Sequence, residues 1–123
     1  MPVQLNELGY EHARKVVAAH KVVTDDRDAW SEHQPSADEE NAFIEEHGWT
    51  SYSKWHLGVD DDARKETKEH YKFPYGDFNL VHRCGVLSAE SRAGQRDYYD
   101  IEVAAAHIHG ILEGAHSTTA ATR

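Results

Sequence analysis

The residues with the greatest chemical reach are ten histidines and a single thiol, Cys84, in a chain of 123 residues. His82-Arg83-Cys84 is the tightest grouping among them. A thiol near a helix start and beside positive charge loses its proton more readily and becomes nucleophilic. The competing reading puts Cys84 on an apolar helical face with Leu80, Val81 and Leu87, where cysteine behaves as a small hydrophobe. Adjacent positions on a helix diverge, which gives His82 no clear place as the base for Cys84. The spacing therefore favours burial.

Metal ligands on one helix recur at intervals of four. His107 and His109 are two apart and would point roughly 160° from one another on a helix. His12 and His20 share a face but stand about two turns apart. Glu66 with His70, and His109 with Glu113, have the interval but supply only two ligands each. Neither H-E-x-x-H nor C-x-x-C accompanies them. Asp60-Asp61-Asp62 lacks the alternating ligands and the glycine of a calcium loop. The expectation is no metal and no cofactor.

Arg83, Arg92 and Arg96 stand out in an acidic chain, with Asp97, Asp100 and Glu102 close in sequence. The planar guanidinium fork suits a carboxylate or a phosphate. Ion pairs across a helical hairpin are the expectation and an anion pocket the alternative. No glycine-rich phosphate loop is present, since Gly76, Gly85 and Gly94 are too far apart.

The elements that must position these groups read as mainly α. Asn6 caps a helix from about residue 7 to 20, with Ala13, Val16 and Val17 on one face. Val22 and Val23 are too short a run to settle as strand or turn. Ser36 and Glu39 have capping-box spacing, opening a helix that stops at Gly48. Thr50 or Ser51 starts a short helical segment that ends at Gly58, and residues 59 to 70 read as solvated. Pro74 and Gly76 force a turn. Asp77 or Asn79 caps a helix to about Gln95 that is rich in small residues. Asp100 opens a last helix in which Ile101, Ala104, Ala105, Ile108 and Leu112 form a stripe, with Gly114 as its stop. These last two helices are expected to form an antiparallel hairpin. The expected fold is one small helical domain over residues 1–114, with an irregular aromatic-rich middle and a polar tail from 115 to 123.

Acidic residues number 22 against 13 basic, a formal charge of -9. That sign disfavours nucleic acid and anionic membrane as partners, and no long basic run appears, although a local basic patch remains compatible with it. One cysteine permits no internal disulfide, which fits a reducing compartment. Neither a signal-peptide pattern nor a membrane-spanning apolar run is apparent, so a cytoplasmic protein is expected.

Tyr71-Lys72-Phe73-Pro74-Tyr75-Gly76-Asp77, Val81-His82-Arg83, residues 89 to 95, and Asp100-Ile101-Glu102 with Ala104-Ala105-Ala106 resemble small uncharacterised helical modules of bacterial and phage-derived proteins. The resemblance covers the last third to half of the chain. It implies a helical hairpin entered through a proline-containing turn, and no activity.

Two functional expectations follow. The first is a non-catalytic protein-interaction or structural protein that forms an oligomer or binds a protein partner. Its interface residues would be Trp30, Trp49, Trp55, Tyr71 and Tyr75, because tryptophan and tyrosine combine apolar area with a polar handle. The second is a small enzyme or ligand-binding protein whose pocket is lined by Tyr75, His82, Arg83, Cys84 and Arg92.

Overall fold

In the computed structural model, which describes residues 3–121 of the backbone and side chains as far as Glu113, the chain is mainly helical. Its elements are β1 (Val3–Leu5), α1 (Glu7–Ala18), β2 (Val22–Val23), α2 (Trp30–His33), α3 (Ala37–Ser53), β3 (His56–Asp60), β4 (Tyr71–Pro74), β5 (Val81–His82), α4 (Arg83–Gln95) and α5 (Tyr99–Ala121). Short 3-10 turns cover Arg27–Ala29 and Lys68–His70. No helix among the described residues is long and apolar enough to cross a membrane.

Asn6 stands at the start of α1, but its side chain makes no capping hydrogen bond and donates instead to the carbonyls of Ser53 and His56; the signals of α3 act as expected. Ser36 Oγ accepts from the Glu39 amide at 3.2 Å, and the Glu39 carboxylate accepts from the Ser36 amide at 2.9 Å, so two otherwise unpaired donors at the start of α3 are satisfied. Gly48 has φ 86° and ψ 172°, a conformation open to glycine, and it breaks α3 into two helical pieces. The helical hairpin is present as α4 and α5, packed along each other. Ile101, Ala104, Ala105, Ile108 and Leu112 are all buried. Most of this stripe meets Ala89 and Ala93 of α4, Val16 and Val17 of α1, and Leu57 of β3 in one core.

The middle of the chain differs from the sequence reading. β1, β3 and β4 form an antiparallel sheet in the order β1-β3-β4, with Leu5 opposite Gly58 and Gly58 opposite Lys72. Leu57 and Gly58 are therefore strand residues, not the end of a helix. Tertiary pairing overrides a five-residue segment whose local propensity is weak. Further on, α4 begins at Arg83, later than expected. Asp77 instead folds a turn, its Oδ1 accepting from the amides of Asn79 at 3.0 Å and Leu80 at 2.7 Å. At the other end, α5 continues past Gly114 to Ala121, so the expected tail is helical backbone over that stretch. Residues 122 and 123 of that tail lie outside the described residues.

Val22 and Val23, undecided in the sequence, form a parallel pair with Val81 and His82. This two-residue pairing positions the site. With Val23 opposite His82, the chain two residues onward brings Asp25 beside Cys84.

Candidate functional site

Asp25, His33, His82 and Cys84 place one potential ligand atom each within 4.8 Å of all the others. They come from three stretches of the chain. Asp25 follows β2, His33 ends α2, His82 ends β5 and Cys84 lies in the first turn of α4. The side chain of His82, at the cap position of α4, makes no capping hydrogen bond. Asp25 fills that role, its Oδ1 accepting from the Cys84 amide at 2.7 Å. A carboxylate there meets the positive end of the helix dipole.

The other carboxylate oxygen, Asp25 Oδ2, accepts from Nδ1 of His82 at 2.8 Å and from Nδ1 of His33 at 2.8 Å. The side chains of Asp25 and His82 are each only 8% exposed, whereas His33 is 37% exposed and faces the outside. Cys84 Sγ lies 3.8 Å from the same His33 nitrogen. On its far side, His82 donates through Nε2 to Asp77 Oδ2 at 2.9 Å. Arg83 closes the rim, donating through Nε to Glu113 at 2.6 Å and from its guanidinium to the Asp25 carbonyl at 3.1 Å.

Charge states follow from these contacts. Burial alone would raise the pKa of Asp25, but the hydrogen bonds from the Cys84 amide and from His82 outweigh it and hold the carboxyl at about 2. Burial would lower His82, but its hydrogen bonds to Asp77 and Asp25 prevail and raise it. Cys84 is pushed up to about 12, by burial first and by the neighbouring Asp25 carboxylate second. At neutral pH the free Cys84 side chain is a neutral thiol.

These contacts do not make a nucleophile–base pair of Cys84 and His33. A base must receive the thiol proton on one ring nitrogen and be oriented through the other. Here His33 meets both Asp25 and Cys84 through Nδ1 alone. The neutral thiol is also the unreactive form.

The donor set does suit a tetrahedral metal ion. Zinc bonds of about 2.0–2.3 Å put neighbouring ligand atoms about 3.3–3.8 Å apart. The Cys84–His33 separation of 3.8 Å lies at the top of that range, the two 2.8 Å contacts to Asp25 need to open by about half an ångström, and separations of up to 4.8 Å need to close by about an ångström. Behind the ligands, Asp77 holds His82 through Nε2 and frees Nδ1 for a metal. This carboxylate–histidine–metal relay is a recurring support in such sites. The loop amides of Asn79 and Leu80 fix Asp77 in turn.

Of the expected pocket residues, the structure brings His82, Arg83 and Cys84 together. Tyr75 is fully buried, with its hydroxyl donating to the carbonyls of Lys54 at 2.6 Å and Gly9 at 3.2 Å, so it lines no pocket. Its carbonyl accepts from the His82 amide at 3.1 Å, and a Cβ on Gly85 would come within 2.8 Å of that oxygen. Arg92 stands further along α4, exposed and away from the cluster. The residues expected at an interface differ in burial. Trp30, Trp55 and Tyr75 are buried within the fold, and Trp49 and Tyr71 are half-buried and stacked on each other at 5.9 Å.

Sequence reasoning missed Asp25, His33 and Asp77. Asp25 reads as one of several capping residues, and Asp77 as a helix cap. The only available signal was the apolar pair Val22-Val23 just before Asp25, matched by the apolar residue before His82. The chain matches no protein-family model, and no curated protein or solved structure shows significant similarity to it.

Proposed function

We propose that this protein binds a divalent transition-metal ion of the zinc class through Cys84 Sγ, Nδ1 of His33 and His82, and the Asp25 carboxylate. The observation that carries this reading is the meeting of four donors from three separate stretches of the chain, with Asp77 behind His82 in the supporting position. Mixed sulfur, nitrogen and oxygen donors favour zinc over magnesium or calcium, which take oxygen ligands. Four protein ligands fill a tetrahedral shell and leave no position for substrate, which supports a structural, non-catalytic role. The ion would tie the segment after β2 and the end of α2 to the start of α4. The partly exposed His33 ring gives it a route in.

Cobalt(II) and zinc(II) titration of the chelator-treated full chain tests this. One equivalent of cobalt should give the intense visible bands of a tetrahedral site and a thiolate-to-cobalt transition in the near ultraviolet. Zinc should displace it, and Cys84→Ser should abolish the thiolate transition. Octahedral cobalt spectra, or no stoichiometric uptake of either ion, would sink the reading.

A further inference from the structure

We infer a second site, for a phosphate monoester carrying a flat ring, in the cleft between β4 and the end of α4. The cleft has a volume of about 390 Å³ and is bordered by Lys72, Arg92 and Arg96. That volume lies within the range of small-molecule sites. Arg92 and Arg96 are one helical turn apart and project from the same face of α4 and its cap, while Lys72 reaches in from the strand opposite.

None of these three makes a side-chain hydrogen bond or ion pair among the described residues, whereas Arg83 pairs with Glu113 across the hairpin. The ion-paired hairpin expected from the sequence therefore holds for Arg83 and departs at Arg92 and Arg96. Among the described lysines and arginines only Lys68 and Arg83 form ion pairs, so it is the convergence of three cations on one cleft, not their lack of partners, that points to an anion. An arginine at the end of a helix complements the exposed carbonyls there. That accounts for one arginine, but not for a lysine converging from another element.

Asp60 also borders the cleft and contributes one negative charge to it, its Oδ1 already accepting from the Asp62 amide at 2.9 Å. Three cations and one carboxylate leave a surplus of two positive charges. A phosphate monoester carries between about one and a half and two negative charges at neutral pH, whereas a carboxylate carries one. The two guanidinium forks suit the phosphate oxygens.

The remaining wall is apolar and largely aromatic, with Val3 and Pro74 beside the rings. Tyr71, Phe73 and Tyr98 line it, with Phe73 set edge-on to Tyr98 at 6.0 Å between ring centres. Phe73 has φ 60°, a left-handed conformation uncommon for a bulky residue, which the fold imposes at the cleft wall. A ring beside the phosphate would pack against this apolar wall. The site is separate from the Asp25 cluster and does not depend on it.

Isothermal titration of the full chain with phenyl phosphate, inorganic phosphate and benzoate tests the inference. Phenyl phosphate should bind with one-to-one stoichiometry and about tenfold more tightly than either of the others. Arg92→Gln and Arg96→Gln are exposed substitutions, and each should weaken phenyl phosphate binding by about tenfold. Arg27→Gln, which shares a neighbouring recess with Arg92 but does not line the cleft, should leave it unchanged. Equal affinity for inorganic phosphate would overturn the ring, and equal affinity for benzoate would overturn the dianion. No saturable binding, or equal weakening by Arg27→Gln, would overturn the site.

Discussion

Asp77 lies behind the proposed metal site rather than in it, and its neutral replacement reports which atom of His82 binds the ion. Asp77 places one carboxylate oxygen on the amides of Asn79 and Leu80 and the other on His82 Nε2. In Asp77→Asn the amide oxygen can still serve the two loop amides, which require an acceptor. The new NH2 group then faces His82. A ring nitrogen facing a donor must present its lone pair, so the neutral imidazole carries its proton on Nδ1, the atom assigned to the metal. Binding zinc then requires either the wrong tautomer to shift or the substituted side chain to rotate and strand the loop amides. Loss of such a supporting partner costs about 10- to 100-fold in affinity, or about 1.4–2.7 kcal/mol. Competition against a chromophoric chelator at fixed pH measures this, with thermal unfolding of the metal-free variant as a check that the turn survives. The variant should stay folded, bind zinc at the same stoichiometry and lose affinity within that range. Unchanged affinity in a folded Asp77→Asn protein would refute the assignment of His82 Nδ1 as a ligand.

Three further outcomes follow from the same geometry. His56 is buried, and burial outweighs its hydrogen bond to the Tyr52 carbonyl, lowering its pKa from 6.5 to about 4. The unfolded chain therefore takes up a proton that the folded chain refuses, so stability should fall by about 3 kcal/mol as pH drops from 6.5 to 4, and urea titrations of His56→Gln should lack that slope. Tyr75→Phe removes the donor that serves two buried carbonyls and should destabilise by about 1–3 kcal/mol in urea unfolding, without altering zinc stoichiometry. Ser36→Ala breaks the capping box and should lower stability by about 1 kcal/mol in the same assay, while Ser36→Asp should retain most of it.

The parts of this fold that the sequence determined by itself are those governed by contacts a few residues apart. The stripe from Ile101 to Leu112 follows the helical period, so its burial against α4 needs no distant information. The Ser36–Glu39 box and the break at Gly48 depend on a cap geometry and a backbone angle set within one turn. The three-stranded sheet was not legible, because Val3–Leu5, His56–Asp60 and Tyr71–Pro74 are short and become strands through pairing with partners far along the chain.

The candidate site divides in the same way. His82-Arg83-Cys84 was visible as a cluster of reactive types, but on a continuous helix its members would diverge. Only because β5 ends at His82 and α4 begins after it do the imidazole and the thiol approach the same carboxylate. Asp25 and His33 lie 59 and 51 residues from Cys84, and no spacing rule joins them to it. The register of Val22-Val23 against Val81-His82 does so, and that register is fixed by packing of the whole core, which a local pattern cannot encode.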